Sequence, residues 1–327
     1  DIIGNEKLNC NDSTVMAACK VIPQEFSWIH CKHLDITASM SRQDNLNALV
    51  SEYVKGSDRH TVAYRYGRRW VQQFQLQKQS YEGTDSVLRE NGTYVIFGGL
   101  GHIGLCVARI IAQKVNANIV LVNRSSFVPR YQWDKYIQLY RDDRALQIEI
   151  LQSIEKVGSR VEIFQTDIAD IDGLCEIKKT IEEKYGPIHG IIHSAGLVGA
   201  NQVVPIEEWT TADCEKHFNA KVNGLFSLND VFLKEDTLDF CMYMSSLSAI
   251  LGGLGSLSYA AANTFMTTFA KKSSKRSKTR QICINWDIWS YLNQQNTAYS
   301  SGANGIDDAT AAECIYRILN ESPMESC

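Results

Sequence analysis

A serine, a tyrosine and an asparagine stand at spacings that suit proton transfer to a ketone. Ser246 ends an apolar run over residues 240–245, Tyr259 follows, and Asn263 comes four residues after Tyr259. Residues four apart lie on one face of a helix, so Tyr259 and Asn263 are expected to share a site. Reduction of a ketone places a hydride on carbon and a proton on oxygen. A tyrosine hydroxyl can supply that proton, and Ser246 can hydrogen-bond the oxygen as charge develops.

A tyrosine that donates a proton needs a nearby ammonium, which stabilises the phenolate. The usual position for that lysine, four residues after the tyrosine, holds Asn263 here, and Lys271 and Lys272 stand too far along the chain. The candidate is Lys221, expected in the helix before the strand of Ser246. Taken singly, each residue has an ordinary structural alternative. Tyr259 could be a half-buried aromatic, Ser246 a helix cap, Asn263 a polar helix residue and Lys221 a surface lysine. Their joint spacing favours a catalytic group.

A glycine-rich turn comes directly after the apolar run at residues 94–97. Gly99-x-Gly101-x-x-Gly104 follows a predicted strand and opens a helical pattern, which is the context in which this motif binds a dinucleotide. Glycine permits a tight turn and a close approach of pyrophosphate to the backbone, and the helix N-terminus offers free N–H groups. A glycine turn without a ligand is the alternative. The predicted loop consists of Gly98, Gly99, Leu100, Gly101, His102, Ile103 and Gly104.

Residues after the next three predicted strands indicate which dinucleotide binds. Asn123-Arg124-Ser125 stands where an NAD enzyme would place an acid, and an arginine with a hydroxyl suits the 2′-phosphate of NADPH. An exposed surface arginine is the alternative. Asp167, beside Ile168, can accept a hydrogen bond from the adenine amine or can cap a helix. The small residues of Ser194-Ala195-Gly196 allow close packing of a cofactor.

Alternating strands and helices would bring these residues to one edge of a sheet. The pattern predicts an α/β fold, a Rossmann-like doubly wound parallel sheet with helices on both faces. Residues 127–144 are too many for an ordinary loop and predict a short helical insertion. The predicted strands are 94–97, 118–123, 160–165, 188–194, 240–245 and 281–286, and the predicted helices are 105–114, 145–156 and 171–185.

Residues 1–91 carry weaker patterns and are predicted to form a separate unit from residues 92–327. Residues 59–71 predict two short strands around a turn at Gly67, and residues 44–55 predict a helix. The polar stretch over residues 77–92 is the predicted linker.

Composition narrows the function classes. The 327 residues are 44% hydrophobic and 21% charged with a net charge of -4, which gives no reason to expect nucleic acid. No apolar run approaches the roughly 18 residues that span a membrane, and no signal peptide opens the chain. The ten cysteines are scattered without metal-ligand spacing, so we expect no metal and a reducing, cytoplasmic setting. The first residue is not Met, which indicates a segment of a longer protein.

The segment around Tyr259 resembles the ketoreductase domain of modular polyketide synthases, in the short-chain dehydrogenase/reductase superfamily. The resemblance lies in Ser245-Ser246, residues 251–255 (Leu-Gly-Gly-Leu-Gly), residues 259–266 and residues 284–289. In that family the usual lysine and asparagine exchange places, which matches Lys221 and Asn263. The family also has a truncated, cofactor-free Rossmann-like structural subdomain before the catalytic one, and residues 63–70 resemble its strand pair.

The resemblance implies NADPH-dependent reduction of a β-ketoacyl thioester on the phosphopantetheine arm of an acyl carrier protein, beside neighbouring synthase domains. The Leu-Asp-Asp fingerprint of one stereochemical class is absent at residues 198–200, and Leu251 replaces the tryptophan of the other, so we expect the L-hydroxy product. Residues 290–308 stand where the family has a lid, although an ordinary loop is the alternative. Residues 271–280 contain six basic side chains, typical of a solvated helix end or of a surface for an acidic carrier.

Two other functions remain open at this stage. A free-standing short-chain dehydrogenase would act on a small diffusible ketone, and comparing turnover of that ketone with turnover of a carrier-bound or other thioester would separate the two. A reductase-inactive structural domain would bind no NADPH, but it should have lost the tyrosine, the serine or the glycines, all of which are present.

Overall fold

The computed structural model describes residues 2–4, 6–37, 39–55, 60–76, 86–197, 203–234, 237–290 and 305–320. The strands are β1 (His33–Asp35), β2 (Thr61–Arg65), β3 (Arg68–Val71), β4 (Thr93–Phe97), β5 (Asn118–Asn123), β6 (Arg160–Gln165), β7 (Gly190–His193), β8 (Phe240–Ser246) and β9 (Arg280–Trp286). The helices are α1 (Cys10–Ser13), α2 (Val15–Glu25), α3 (Arg42–Lys55), α4 (His102–Lys114), α5 (Trp133–Leu139), α6 (Asp143–Lys156), α7 (Ile171–Tyr185), α8 (Thr211–Phe218), α9 (Gly224–Val231), α10 (Ser248–Leu251), α11 (Leu257–Ser274) and α12 (Asp308–Asn320).

Six strands form one parallel sheet in the order β6-β5-β4-β7-β8-β9. The chain enters at β4, winds outward to β6, then returns to β7 and winds the other way. This is the doubly wound order in which ligands bind at the carboxyl edge, where the winding direction reverses. The reversal lies between β4 and β7, so the prediction of a Rossmann-like α/β sheet is confirmed.

Both faces of this sheet are covered, which explains why its strands are apolar without alternation. Every residue of β4 is buried. One core cluster joins the sheet to α4, α6 and α12, through side chains such as Ile110, Leu151 and Leu319. The other joins it to α7, α9 and α11 through Ile181, Leu228 and Phe265. The predicted insertion contains α5 and a 3₁₀ turn over Arg130–Gln132.

The N-terminal residues form a separate three-stranded sheet. The predicted strand pair is β2 and β3, which pair antiparallel around Tyr66 and Gly67, both with positive φ. The sequence did not predict β1, which pairs parallel to β2, or α2. Arg65 holds this unit together from a buried position through ion pairs with Glu6 and Asp35.

Helix packing joins the small sheet to the large one. Ala17 and Val21 of α2 are fully buried against Ala260 and Ala261 of α11. Residues 77–85 of the predicted linker lie outside the described residues, and Leu88 already packs in the core of the large sheet. A division at residue 92 therefore remains a prediction. Among the described residues, no helix combines the length and apolarity needed to cross a membrane.

Candidate active site

The predicted glycine loop links β4 to α4 at the carboxyl edge of the sheet. Gly98 has a φ of +73°, and a Cβ on it would lie 2.7 Å from the Cα of Ala195, in the loop after β7. The Ser194 hydroxyl donates to the carbonyl of Phe97 at 2.8 Å. The loops that follow β4 and β7 are therefore in direct contact where the sheet reverses direction.

The loop has the features that a dinucleotide phosphate needs. Gly101 is the N-cap of α4 and provides no side chain to cap it, which leaves the first N–H groups of the helix for an anion. The Asn123 side-chain oxygen accepts from the N–H of Leu100 at 3.0 Å, so β5 holds the loop in place. The buried Asn123 Nδ2 has no hydrogen-bond partner among the described residues. An unpaired buried donor beside an open helix N-terminus fits a bound phosphate group.

The fit between Gly104 and the turn above it gives a first testable prediction. A Cβ on Gly104 would lie 2.5 Å from the carbonyl oxygen of Gly98 and 2.7 Å from the Cα of Gly99, both backbone atoms. We expect Gly104→Ala to lower the free energy of unfolding by about 1–3 kcal/mol, as overpacking does. Gly101→Ala is the matched control, since its Cβ meets only one oxygen at 3.2 Å. Equal losses in urea unfolding for the two variants would contradict this packing.

Arg124 and Ser125 lie directly after β5, and both side chains are exposed. Arg124 therefore lies at the carboxyl edge of the sheet, as predicted for a residue that contacts the 2′-phosphate. Its exposure fits the alternative of an ordinary surface arginine equally well. The backbone is held from β6, because the Gln165 amide donates to the carbonyl of Arg124 at 3.3 Å.

Asp167 follows β6 and does not cap the next helix. The N-cap of α7 is Asp170, whose side chain accepts from the N–H of Gly173. Asp167 instead accepts from the N–H of Ala169 at 2.9 Å and from the Asn219 amide at 3.3 Å. The helix-cap alternative for Asp167 is thus wrong. The neighbouring Ile168 is buried.

Lys221 lies in a π-helical turn, Asn219–Asn223, between α8 and α9. Such a turn adds one residue to a helix and often marks a functional site. Lys221 is 5% exposed, and its ammonium donates to the carbonyl of Met244 at 3.0 Å, two residues before Ser246 in β8. Burial lowers the pKa of Lys221 to about 8. The structure therefore places this amine inside the protein, close to the end of the serine strand.

Lys221 also reaches the tyrosine helix and the loop after β7. Its Nζ lies 5.9 Å from the ring centroid of Tyr259. A Cβ on Gly196 would lie 2.9 Å from the Cε of Lys221, so the lysine side chain packs closely against this glycine. A buried amine so close to the ring can strengthen a phenol as a proton donor.

Tyr259 and Asn263 share α11, as predicted. Asn263 is fully buried, and its side-chain amide donates to the carbonyl of Tyr259 at 2.9 Å. The Ser245 hydroxyl donates to the carbonyl of Asn263 at 3.3 Å, which ties α11 to β8. Ser246 ends β8 half-buried, and its hydroxyl accepts from the N–H of Ser248 at 3.2 Å. The four predicted catalytic side chains thus come from one π turn, one strand end and one helix at the same edge of the sheet.

Two buried histidines beside Lys221 were not predicted. His193 ends β7, and its Nε2 donates to the carbonyl of Ala220 at 3.1 Å. Burial, with a further contribution from the Lys221 charge, lowers the pKa of His193 to about 3. His217 packs edge-on against the Tyr259 ring at 5.5 Å, and burial lowers its pKa as well. Both rings are therefore neutral at physiological pH and add no positive charge beside the amine.

Asp308 is a second feature that the sequence did not reveal. It opens α12 and accepts from His102 Nε2 at 2.8 Å and from Arg109 at 2.7 Å, both on α4. The last described helix is thereby bound to the helix that follows the glycine loop. The sequence offered one indication of this contact, which is an aspartate at the start of a helix that follows a loop.

Four regions that the sequence linked to substrate or carrier recognition differ in how much of them the structure describes. Residues 198–200, where the Leu-Asp-Asp fingerprint is absent, and residues 291–304 of the predicted lid lie outside the described residues. Leu251, at the position of the other fingerprint, is 62% exposed. In the basic run over residues 271–280, Arg280 donates to the carbonyls of Leu319 and Ile318 and so caps α12.

Comparisons with known proteins agree with this architecture. The KR-domain family model matches residues 92–291, more than half of the chain. Polyketide synthase PksM of Bacillus subtilis (strain 168) is 28% identical over 254 residues, which cover 77% of this chain and 5% of that protein. The 6-methylsalicylic acid synthase of Aspergillus terreus is 30% identical over 210 residues, or 64% of this chain and 11% of that protein.

A solved ketoreductase has the same fold. The PlmKR1 ketoreductase, from the first module of phoslactomycin biosynthesis in Streptomyces sp. HK803, superposes with a TM-score of 0.80 at 20% identity. The superposition covers 98% of this chain and 71% of that one. The chain therefore belongs to the KR-domain family, the ketoreductase domains of modular polyketide synthases in the short-chain dehydrogenase/reductase superfamily.

Proposed function

We propose that this domain uses NADPH to reduce the β-ketone of an acyl thioester carried on an acyl carrier protein. The observation that carries the proposal is the buried Lys221 amine, which packs against Gly196 and lies 5.9 Å from the centroid of the Tyr259 ring. A charged amine is costly to bury, so a site that keeps one without a carboxylate partner among the described residues is typical of a functional requirement.

The proposed mechanism assigns one step to each side chain. NADPH, when bound by the glycine loop, would supply the hydride that the carbonyl carbon receives. Tyr259 donates its hydroxyl proton to the oxygen that becomes the alcohol, and Ser246 hydrogen-bonds the same oxygen as negative charge develops. Lys221 stabilises the tyrosinate that remains. Asn263 acts as a positioning residue, because its amide bonds the backbone of Tyr259 and its carbonyl accepts from Ser245.

The preference for NADPH rests on Arg124 and Ser125, which follow β5 where an acid would repel a 2′-phosphate. The pyrophosphate would be surrounded by the glycine loop, which consists of Gly98, Gly99, Leu100, Gly101, His102, Ile103 and Gly104. Asp167 and Ile168 would lie by the adenine, and Ser194, Ala195 and Gly196 by the nicotinamide half. The exposed position of Arg124 leaves its guanidinium accessible to such a phosphate.

Arg124→Ala tests this assignment. We expect the Kd for NADPH to rise about tenfold or more, because a charge-assisted contact to phosphate is lost, while the Kd for NADH changes less than about twofold. Cofactor fluorescence titrations measure both constants. Arg68→Ala, at an exposed arginine of β3, is the control. Equal losses for the two cofactors in Arg124→Ala would rule out the 2′-phosphate contact.

The carrier-bound substrate and the neighbouring synthase domains are also part of the proposal, as is a cytoplasmic setting. The chain spans 5% to 11% of the two synthases described above, both of which are far longer proteins. We also propose that residues 1–91 form the structural subdomain, without a cofactor, and residues 92–327 the catalytic one. Turnover of a β-ketoacyl thioester far more efficient than that of a simple ketone would support this function over a free-standing dehydrogenase. Failure to bind NADPH would favour a reductase-inactive structural domain.

A further inference from the structure

The loop between Ser246 and Tyr259 is held by side chains from the N-terminal helix α2. This loop contains Gly252, Gly253 and Gly255, with φ of +77°, +148° and +64°. Three glycines in such conformations lose much backbone entropy when the loop is ordered, so the loop needs contacts that fix it.

Glu25, the last residue of α2, bonds this loop and a second segment through its carboxylate. One carboxylate oxygen accepts from the N–H of Gly255 at 2.9 Å. The other accepts from the N–H of Ile206 at 2.7 Å, in the segment that follows β7. The two segments also bond each other, since the N–H of Val204 donates to the carbonyl of Gly255 at 2.9 Å. One carboxylate thus bridges the loops after β7 and β8.

Neighbouring residues of α2 extend the same contact. Gln24 donates to the carbonyl of Leu251 at 2.7 Å and accepts from the N–H of Gly253 at 2.8 Å. Lys20 donates to the carbonyl of Ala249 at 2.7 Å. Ala17 and Val21, on the buried face of the helix, pack against the two alanines that directly follow Tyr259. The helix that holds the loop is therefore fixed to the tyrosine helix itself.

The loop also has apolar side chains available for a ligand. Leu251 and Leu254 are each 62% exposed, although the backbone beside them is bonded to α2 or to its own turn. Large exposed apolar side chains on a restrained backbone suit contact with an acyl chain. Their positions relative to Tyr259 depend on how firmly the loop is held.

We propose that Glu25 is a positioning residue that clamps together the loops after β7 and β8, and that this clamp sets how the acyl chain lies against Tyr259. The effect on the position of the acyl chain rests on the proposed function. The clamp itself depends only on the two hydrogen bonds of the carboxylate. Through this clamp, the N-terminal unit would help to set the position of the substrate.

Hydrogen exchange tests the clamp without reference to catalysis. In Glu25→Ala, amides in residues 203–209 and 249–257 should exchange about tenfold faster than in the wild type, since each charge-assisted bond contributes substantially to local stability. Glu25→Gln should be intermediate, because its amide oxygen still accepts one N–H while its nitrogen opposes the other. Glu207→Ala, an exposed glutamate of the same segment, is the control and should leave exchange unchanged.

Steady-state kinetics tests the effect on substrate. With a model β-ketoacyl thioester, Glu25→Ala should raise KM about fivefold to tenfold and increase the share of the minor hydroxy enantiomer, while the Kd for NADPH changes less than twofold. A clamp with only a structural role would lower the folded fraction but leave KM and the enantiomer ratio as in the wild type.

Each outcome decides a different claim. Unchanged exchange in both segments of Glu25→Ala would refute the clamp. Faster exchange with unchanged KM and enantiomer ratio would refute its role in substrate geometry. A wild type that reduces no thioester would contradict the proposed function, while faster exchange in Glu25→Ala would still support the clamp.

Discussion

Replacing Tyr259 with phenylalanine is expected to lower kcat for a β-ketoacyl thioester by about 10²–10⁴-fold, because the proton donor is lost while the ring remains. The Kd for NADPH should be nearly unchanged, since the glycine loop does not include Tyr259. Edge-on packing against His217 is also retained, so the fold should be preserved. Initial rates of NADPH oxidation and fluorescence titration of NADPH measure the two quantities.

Tyr131→Phe is the matched control for that variant. Tyr131 is 85% exposed in the insertion before α5, so loss of its hydroxyl should leave kcat within about twofold of the wild type. Near-wild-type turnover in Tyr259→Phe would refute the assignment of the proton donor. Loss of turnover together with loss of NADPH binding would indicate a disrupted site instead.

Lys221→Met is expected to lower kcat about 10²-fold and to change its pH dependence. Burial lowers the pKa of Lys221 to about 8, so the amine is charged below that pH and neutral above it. In the wild type, kcat should fall as the pH rises through 8, because a neutral amine no longer stabilises the tyrosinate. The variant has no such amine, and its residual rate should not show that decrease.

Stability should change in the opposite direction over the same range. The folded state disfavours the charged form of Lys221, and the penalty is fully present below pH 8. Between pH 8 and the ordinary lysine pKa of 10.5, the unfolded chain holds a proton that the folded one does not, so this group contributes a rise in stability as the pH increases. Urea unfolding at several pH values should show that contribution in the wild type and not in Lys221→Met.

Lys216→Met serves as the control for both measurements. Lys216 lies on α8, is 55% exposed and pairs with Asp213. Removing it should leave the decrease in kcat above pH 8 in place. If Lys221→Met retained the wild-type pH profile, the buried amine would not be the group that supports Tyr259.

The bounds of a helix or strand were predicted to the residue where the sequence carries a start signal and a stop signal. Helix α7 covers the predicted residues 171–185 because Asp170 caps its start and Gly186, at a φ of +77°, ends it. Strands β5 and β6 also have the predicted bounds. The strand predicted at residues 188–194 was too long at both ends, because β7 begins at Gly190 and ends at His193, and Ser194 turns away to bond Phe97.

Features that depend on distant contacts were not predictable in this way. The π turn at Lys221 adds a residue to a helix whose composition is ordinary. The sequence therefore indicated a lysine on a helix, but not that its side chain points into the protein. Glu25 bonds residues 181 and 230 positions away, and a glutamate at the end of a helix carries no sign of such partners. The candidate site was therefore predictable as a set of side chains, and its supports became visible only in three dimensions.

Reduction of a carrier-bound β-ketone with NADPH is the proposed function of this domain. The most direct measurement supplies a β-ketoacyl group on phosphopantetheine, with the wild-type domain and NADPH, and analyses the product by mass and by chiral separation. We predict that the acyl group gains two hydrogens with one NADPH consumed for each product, and that one hydroxy enantiomer, the L form, predominates. An acyl group that stays unreduced while NADPH binds the domain would contradict the proposed function.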